Sequence, residues 1–306
     1  MDAGCDDPRV GIVLLNWNQP TDTLACLGSL ARLEYGAFEV VVADNGSTDG
    51  SPELVRRAFP DVTLIENGRN LGFAAGNNVG IQYLLDRSAD YVLLLNNDTE
   101  VPPSLLRRLV DVAESDPRIG IVGPKILYYQ PNDVIWSAGG RIDRLGRSSH
   151  LRFDEADDDE DRSVHDVDYV TGCALLIKRQ IIEEVGALDE RFFMYYEEAE
   201  WCARVHRAGY RIVYVPQAHM WHKIQQSARN HSRRYLYLMA RNRLLYLRCT
   251  HASVLDMAIA SLDILRTSAA WALKPKYREA RPYSGALVHG VWDWLIGRFG
   301  APPARP

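Results

Sequence analysis

The chain has few cysteines, and their positions exclude two common kinds of stabilisation. Five cysteines occur among 306 residues, and none forms a CxxC pair: Cys5, Cys26, Cys173, Cys202 and Cys249. An odd, scattered set predicts neither a disulfide framework nor a zinc site. The acidic N-terminus also lacks the basic start and apolar segment of a secretory signal. We therefore expect a protein of a reducing, cytoplasmic compartment.

Long hydrophobic runs are absent too, and so is a strong charge of either sign. No stretch reaches the roughly 20 uninterrupted apolar residues that a membrane-spanning helix needs. The net charge of -5 gives no nucleic-acid signature, so we expect no nucleic-acid partner. The chain has neither GxGxxG after its first predicted strand nor GxxxxGK[ST], which excludes the usual phosphate-binding loops of dinucleotide-binding and P-loop proteins.

Short apolar runs alternate with amphipathic segments through the first hundred residues. The predicted strands are residues 9–16, 38–44, 62–66 and 91–95, and the predicted helices are residues 21–32, 51–58 and 73–86. Strand alternating with helix is typical of a parallel sheet with helices on its faces. Further strands are predicted at residues 119–128, 169–178 and 211–215, the last ended by Pro216. A helix is predicted over residues 195–208, and three more follow residue 228.

Three of the predicted strands end in polar residues suited to a nucleotide and its cation. These ends are Asn16-Trp17-Asn18, Asp44-Asn45-Gly46-Ser47 and Asn96-Asn97-Asp98. The carboxyl ends of parallel strands lie at one edge of a sheet, where ligands bind, and hard divalent cations prefer oxygen ligands. Each end alone is also typical of a polar turn. Three of them on one edge favour a binding site.

Other segments carry candidate chemistry, each with an alternative. Glu197, Glu198 and Glu200 lie among aromatic residues and suit a general base, although an acidic start to a solvated helix is the alternative. His222 follows a predicted strand and is either a structural histidine or a nitrogen ligand for a metal. The glycines four apart in residues 70–80 permit either close helix packing or direct contact with a ligand.

Charge is distributed unevenly along the chain. Residues 154–161 read DEADDDED and predict a solvated loop without a catalytic role. Six arginines and no acid lie between residues 223 and 256: Arg229, Arg233, Arg234, Arg241, Arg243 and Arg248. The alternatives for this helical segment are core packing with a solvated face, contact with anionic lipid, and the subunit interface of a homodimer.

The order of these motifs resembles that of the family 2 glycosyltransferases of the GT-A fold, and within them a rhamnosyltransferase-like branch. The matching motifs lie at residues 16–18, 43–50, 70–80, 95–99, 171–177 and 192–201. The resemblance implies an α/β fold: a Rossmann-like, mostly parallel sheet flanked by helices, with a C-terminal helical appendage. It also implies a catalytic domain over residues 1–228, with a nucleotide-binding half (9–100) and an acceptor-binding half (101–228), followed by a helical region over residues 229–306.

The resemblance further implies inverting transfer of a sugar from a nucleotide diphosphate to a glycan or lipid-linked acceptor, in the synthesis of cell-surface polysaccharide. Glu198 is the implied general base, and Asp98, with Asn96 and His222, the implied site for Mn²⁺ or Mg²⁺. The implied donor-binding residues are Asn16, Asn18, Asp44, Asn70, Gly72, Asn77 and Asn97, with Asp44 at the pyrimidine base. The residues implied to bind the acceptor or to have secondary roles are Thr171, Gly172, Glu197, Glu200 and Trp201.

Two residues depart from the family pattern. Asn96 replaces the first acid of the DxD motif, so we expect a metal site that fills only when the donor diphosphate supplies ligands. Glu198 stands where aspartate is more usual, which leaves Glu197 and Glu200 as alternative bases.

The favoured donor is dTDP-L-rhamnose, with UDP-sugars next, and the arginine-rich helices suggest peripheral contact with the inner membrane face. The alternative functions are a non-catalytic subunit that binds a sugar nucleotide or polysaccharide and, less well supported, a nucleotidyltransferase.

Overall fold

The computed structural model describes residues 7–158, 160–223 and 232–303, and its core is a ten-stranded sheet. The first half of the chain contributes four parallel strands: β1 (Val10–Asn16), β2 (Phe38–Asp44), β3 (Thr63–Glu66) and β4 (Tyr91–Asn96). Their order in the sheet is β3-β2-β1-β4. The connecting helices are α1 (Pro20–Leu30), α2 (Ser51–Ala58) and α3 (Gly72–Asp86). These predicted strands and helices are confirmed.

The register of the parallel strands brings their polar ends together. Asn16 lies opposite Asp44 in the β1–β2 pair, and Leu15 lies opposite Asn96 in the β1–β4 pair. The strands before these ends are covered on both faces, which is why they read as continuous apolar runs. The predicted polar edge of the sheet is therefore present.

Glycines in α3 let this helix lie directly on the sheet. A Cβ atom at Gly76 would lie 2.5 Å from the side chain of Leu15, and one at Gly80 would lie 2.5 Å from that of Val13. Any larger residue would push the helix away from β1. The glycine spacing permitted either close helix packing or direct contact with a ligand. Gly76 and Gly80 serve close helix packing.

The second half of the chain completes the sheet with strands of mixed direction. β11 (Ala174–Lys178) is antiparallel to β4 and to β6 (Ile119–Tyr128), whereas β12 (Arg211–His222) is parallel to β6. The short strands are β5 (Thr99–Glu100), β7 (Ile135–Ser137), β8 (Gly140–Ile142), β9 (Ser148–His150) and β10 (His165–Asp166). The helices of this half are α4 (Leu105–Ser115), α5 (Arg179–Val185) and α6 (Glu197–Arg207).

The strand predicted to end at Pro216 continues past it, so that prediction is wrong. The register of β12 against β6 shifts between Val215 and His219, and the strand then runs on to His222. A bulge accommodates proline, which has no N–H to donate to a regular ladder. The last part of β12 pairs with β5, where His222 lies opposite Thr99. This extension carries His222 to the edge where β4 ends.

The acidic run at residues 154–161 is only partly the solvated loop that we predicted. Asp157 forms an ion pair with the buried Lys125 of β6, with Nζ 2.6 Å from Oδ2. The hydroxyl of Tyr128 donates a hydrogen bond to Asp154 at 2.6 Å. Since a buried ammonium group is costly without a paired carboxylate, the run neutralises a charge of the sheet. Asp159 lies outside the described residues.

Three helices form the predicted C-terminal appendage: α7 (Arg233–Cys249), α8 (Val254–Leu273) and α9 (Ser284–Leu295). α9 packs against both α7 and α8. Of the six arginines, Arg241 and Arg243 are buried, and Arg229 lies outside the described residues. Core packing is therefore the correct interpretation for the two buried arginines, and their predicted contact with lipid is wrong.

The described helices were also compared with the requirements of a membrane span. Within residues 7–158, 160–223 and 232–303, no helix combines the length and the apolar character needed to cross a bilayer.

Candidate active site

A cleft of about 680 Å³ opens where β4 and β12 end and where α6 begins. Asp98 follows β4, His222 ends β12, and Glu197 and Glu198 open α6; all four line the cleft. Its wall also includes Asn96, Thr171 and Gly172. The predicted metal ligands and two of the three predicted bases therefore share one cavity, although 124 residues separate Asp98 from His222 in the sequence.

The polar ends of β1 and β2 bond mainly to each other. The Asn16 amide donates to Asp44 at 2.7 Å and to the Ser47 hydroxyl at 3.1 Å. The backbone N–H of Ser47 donates to the other oxygen of Asp44 at 2.8 Å. Both Asn16 and Asp44 are 1% exposed. The contact of Asp44 with a pyrimidine base stays a prediction, and in this structure its carboxylate holds the loop after β2.

Asn18 is the exposed member of this group. Its side-chain oxygen accepts a hydrogen bond from the backbone N–H of Thr48 at 2.8 Å, and its own N–H donates to Ser47 at 2.9 Å. These bonds join the loop after β1 to the loop after β2. Trp17, immediately before it, is 46% exposed. Asn18 and Trp17 are therefore available to a ligand at this edge without the network being broken.

The other predicted donor-binding residues have structural partners. Asn97 is buried and donates to Thr23 at 2.8 Å, and Asn77 is buried and donates to the carbonyl of Phe73 at 2.9 Å. Asn70 accepts from the N–H of Gly72 at 2.8 Å, at the start of α3. A Cβ atom at Gly72, whose φ is +84°, would lie 2.5 Å from the Phe193 carbonyl oxygen. Donor binding by these four residues stays a prediction.

Asp98 and His222 form a close pair at the edge of the cleft. His222 Nε2 lies 3.1 Å from Asp98 Oδ1, and the N–H of Lys223 donates to the Asp98 carbonyl at 2.8 Å. Burial lowers the pKa of His222, but the neighbouring Cys173 and Asp98 outweigh burial and raise it to about 10. A cation bound by Nε2 would therefore have to displace the proton that this environment favours.

The spacing and chemistry of this pair fit a divalent cation. Adjacent ligands of an octahedral ion at about 2.1 Å lie about 3 Å apart, which agrees with the 3.1 Å between Oδ1 and Nε2. Among the residues that the structure describes, no group of three or more His, Cys, Asp or Glu side chains converges on a metal position. The described residues thus offer two ligands, Asp98 and His222, with Asn96 as a neutral neighbour, and a cation bound here would need further ligands from a diphosphate or water.

Glu200 and Trp201 do not belong to the cleft. Glu200 is buried in an ion pair with Arg204, with 2.8 Å between Oε2 and Nε. Trp201 is fully buried and its indole N–H donates to the Gly186 carbonyl at 2.8 Å. Both residues lie on the face of α6 that packs against the core. Glu200 as the base and an acceptor contact by Trp201 stay predictions, and these contacts do not support them.

Glu197 and Glu198 are distinguished by their exposure and by their pKa shifts. Glu197 is buried, and burial and the adjacent Glu198 raise its pKa well above the ordinary value. Burial also raises the pKa of Glu198, but backbone N–H groups of α6 and Gly172 oppose the shift. Glu198 is half-buried and therefore the more accessible. Glu198 suits a base that meets a hydroxyl, whereas the environment of Glu197 favours the protonated acid.

The space in front of Glu198 depends on Gly172 and Thr171. A Cβ atom at Gly172 would lie 2.8 Å from the ring of Phe73 and 3.7 Å from the Cβ of Glu198. Thr171 is buried and its hydroxyl accepts from the N–H of Cys173 at 3.3 Å. Both residues line the cleft beside Glu198, and their acceptor-binding or secondary roles stay predictions.

The loop that leads into α6 has a costly backbone conformation. Phe193, Tyr195 and Tyr196 have φ angles of +66°, +74° and +74°, in the left-handed region that favours glycine. Such residues cost of order 1 kcal/mol each, and they persist only where surrounding contacts hold them. Because Glu197 and Glu198 follow directly, the position of the base depends on whatever holds this loop.

Two buried side chains of α7 hold the loop. The side-chain nitrogen of Asn242 lies 2.8–2.9 Å from the carbonyl oxygens of Phe192, Met194 and Tyr195. Arg241 donates to the Phe192 carbonyl at 3.0 Å and to the Asn242 side-chain oxygen at 2.9 Å. Both side chains are 0% exposed. The appendage therefore positions the start of α6.

Sequence reasoning missed Asn242 and placed Arg241 on a basic face. The signal that could have found them is helical periodicity. Leu238 and Leu245 lie four residues before and three residues after Asn242, so all three share one face of α7. A polar residue in the middle of an apolar face is buried with a partner, and here the partners are the carbonyls of the loop.

We expect Asn242→Ala to lower the free energy of unfolding by about 2–4 kcal/mol, because three buried carbonyls lose their shared donor. The variant should also lower kcat more than it raises the KM for the donor, since the loop carries Glu198 and not the metal pair. Thermal unfolding and steady-state kinetics measure the two effects. Asn78→Ala is a matched control, because Asn78 donates to the Leu188 carbonyl at 2.9 Å, outside the loop. Equal losses of kcat in both variants would contradict a positioning role.

Comparison with known proteins gives the relatives of this arrangement. The model of the family described as glycosyl transferase family 2 matches residues 12–186. An N-acetylglucosaminyl-diphospho-decaprenol L-rhamnosyltransferase of Mycobacterium tuberculosis is 28% identical over 71% of this chain and 79% of its own length. A low-salt glycan biosynthesis hexosyltransferase, Agl10, of Haloferax volcanii is 26% identical over 96% of this chain and 93% of its own. A dTDP-rhamnosyl transferase, RfbF, of Shigella flexneri is 25% identical over 79% and 81%.

Two solved structures show the same fold. The mannosyltransferase PcManGT from Pyrobaculum calidifontis, in complex with GDP-Man and Mn²⁺, superposes with a TM-score of 0.59 at 18% identity over 96% of this chain and 89% of that one. GalNAc-T7 with UDP, GalNAc and Mn²⁺ superposes with a TM-score of 0.65 at 15% identity over 95% and 57%. At these identities the likeness shows the fold alone, and it confirms the predicted GT-A fold.

Proposed function

The chain belongs to glycosyl transferase family 2, and from this premise we propose that it is an inverting glycosyltransferase that uses a nucleotide diphosphate sugar and a divalent cation. One observation carries the proposal: the cleft that holds the Asp98–His222 pair also holds Glu198. The pair suits the cation and diphosphate of a donor. Glu198 suits removal of a proton from an acceptor hydroxyl.

Glu198 acts as the general base in this proposal. Its carboxylate accepts the proton of the acceptor hydroxyl while that oxygen attacks C1 of the sugar from the face opposite the diphosphate. Direct displacement of this kind inverts the configuration at C1. Glu197 stays protonated and does not compete for the proton, because burial and the adjacent Glu198 keep its pKa high. Gly172 leaves the space that the acceptor needs.

Asp98 and His222 are the residues that would hold the cation. When bound there, Mn²⁺ or Mg²⁺ supplies positive charge that stabilises the departing diphosphate. The Mn²⁺ present in both solved neighbours supports a divalent cation. An imidazole ligand favours Mn²⁺, because Mg²⁺ keeps an almost entirely oxygen coordination. We therefore favour Mn²⁺ over Mg²⁺ as the cation of this site.

The proposed donor is dTDP-L-rhamnose, with UDP-sugars second. The names of two relatives support it, the L-rhamnosyltransferase of Mycobacterium tuberculosis and the dTDP-rhamnosyl transferase of Shigella flexneri. The former name also supports a lipid-linked acceptor, since it specifies a diphospho-decaprenol. We accordingly propose a glycan or lipid-linked glycan as the acceptor.

A donor screen by thermal shift tests this proposal. We expect dTDP-L-rhamnose with Mn²⁺ to stabilise the protein by about 2.7 kcal/mol at one hundred times its Kd, and a chelator to remove most of the shift. Two controls are used: dTDP, which has the same base but no sugar, and UDP-glucose, which has another base and another sugar. A protein that no nucleotide sugar stabilises, and that forms no product in a discontinuous transfer assay with any of them, would leave the proposal without support.

A further inference from the structure

The outward face of α8 is apolar along its whole length. Exposed residues recur at intervals of three and four: Leu255, Ala258, Leu262, Leu265, Ala269 and Leu273. We call these six residues the α8 outer face. Leu255 and Leu262 are each 66% exposed, and Leu273 is 76% exposed. Residues at this spacing share one side of a helix, and a helix of 20 residues is about 30 Å long.

The acids of α8 point in the opposite direction, towards the rest of the chain. Asp256 pairs with Arg144, with 3.0 Å between Oδ1 and Nε. Asp263 lies 2.8 Å from Arg147 and 3.1 Å from Arg243. A surface helix normally has its charged residues in solvent and its leucines in the core. In α8 both carboxylates are held inward while the leucines of the outer face remain in solvent, and such a surface marks a contact with something outside the chain.

The charged residues exposed beside the α8 outer face are basic. Arg266 lies on α8 itself, and four exposed cations follow the end of the helix: Lys274, Lys276, Arg278 and Arg281. Within residues 254–283, Glu279 is the single exposed carboxylate. α9, which packs against α8, has exposed apolar side chains of its own, Trp292 and Leu295. Leucines, a tryptophan and an excess of cations together are typical of a helix that lies in a membrane interface.

We propose that the α8 outer face docks on an anionic lipid bilayer. The helix lies in the plane of the interface, with its leucines among the upper acyl chains and the cations after Leu273 at the lipid phosphates. A second copy of the chain could also cover an apolar stripe, but a paired stripe has complementary charges on its flanks. The exposed charge on α8 is Arg266 alone, with no exposed acid to pair with it in a second copy.

This surface differs from the arginine set of α7, because two of those arginines are buried. It also differs from the catalytic cleft, to which none of the six residues of the α8 outer face contributes. Docking would place the protein on the surface that carries a lipid-linked acceptor. The inference rests on the proposed function for this purpose only.

Co-sedimentation with vesicles at physiological salt tests the inference without donor or acceptor. We expect the full chain to bind vesicles of phosphatidylglycerol and phosphatidylcholine, and L262E/L265E to lower the partition coefficient at least about tenfold. K274E/K276E should lower it by a similar factor on these vesicles, because each cation near an anionic surface contributes about fivefold. Leu54→Glu, at a leucine of α2 that is 40% exposed, is the matched control and should bind as the native chain does.

Several outcomes would overturn the inference. Equal sedimentation of the native chain and L262E/L265E is one, and equal binding to vesicles of phosphatidylcholine alone is another. A native dimer that does not bind vesicles and that L262E/L265E converts to a monomer would assign the α8 outer face to a second copy instead. Circular dichroism and thermal unfolding check that the variants are folded.

A measurement on the native chain keeps the test independent of the glutamate variants. Vesicles should protect the fluorescence of Trp292 from an aqueous quencher. The fluorescence of Trp292 is obtained as the difference between the native chain and Trp292→Phe. Failure here is distinguishable from failure of the proposed function. Sugar transfer without vesicle binding would overturn this inference only. Vesicle binding without sugar transfer would overturn the proposed function only.

Discussion

Glu198→Gln is expected to lower kcat for sugar transfer by about 10²- to 10⁴-fold and to leave donor binding nearly unchanged. Glutamine keeps the shape of the side chain but has no basic oxygen to accept the proton of the acceptor. The proposed donor site lies elsewhere, at the edge formed by the ends of β1, β2 and β4. Initial rates of product formation and the donor-induced thermal shift measure the two effects separately.

Glu197→Gln is the matched control for this substitution. Burial and the adjacent Glu198 raise the pKa of Glu197 and favour its protonated form, so an amide is a close substitute. We expect kcat to change by less than about fivefold. Full activity in Glu198→Gln together with loss of activity in Glu197→Gln would reverse the assignment of the base.

The pH profile of the native enzyme carries the same information. A base works only when deprotonated, so kcat/KM should fall as the pH falls through the pKa of Glu198. Burial raises that pKa, and the fall should therefore be centred above about pH 4.3, the ordinary value for glutamate. In Glu198→Gln the same acidic limb should disappear from the residual activity.

Removal of the Asp98 carboxylate is the second change with a large expected effect. Asp98→Asn should lower kcat/KM by about 10³-fold, because several kcal/mol of charge stabilisation on the diphosphate depend on the cation. His222 would remain as a single ligand, which is too few to hold the ion. The chelator-sensitive part of the donor-induced thermal shift should vanish in this variant, and the folded state should be retained.

Asn96→Asp provides a test in the opposite direction. It adds the carboxylate that the DxD position lacks, and affinity for a hard cation rises with the number of charged ligands. We expect the Mn²⁺ concentration for half-maximal activity to fall by about tenfold. Transfer by the native enzyme in excess chelator, at an undiminished rate, would show that Asp98 acts without a metal.

Much of the catalytic fold could be predicted from the sequence. The four strands β1 to β4 are continuous apolar runs, and the helices between them have apolar residues at helical spacing, so their local patterns are unambiguous. Parallel pairing then places the polar ends at one edge without further information. Asp98 and Glu198 could be identified because short motifs of fixed order accompany them.

Other features needed long-range contacts. β12 passes Pro216 because β6 and β5 offer it partners on both sides of a bulge, and the local sequence contains no sign of those partners. Asn16 and Asp44 were predicted to meet a ligand, whereas the structure turns them towards each other. A polar residue at a strand end has the same sequence signature whether it bonds to a ligand or to a neighbouring loop.

By itself, the sequence determined the order of β1 to β4 with their helices, the family, and the residue types of the site, because each depends on short-range pattern. The tertiary structure distinguished the three glutamates, since Glu200 is bound by Arg204 outside the cleft and, of the two that line it, Glu197 is the more deeply buried. It also decided that Arg241 and Asn242 hold the loop before the base, and that the leucines of α8 face outward. These outcomes depend on which elements meet in space, and helical or strand periodicity shows only that a face exists, not what covers it.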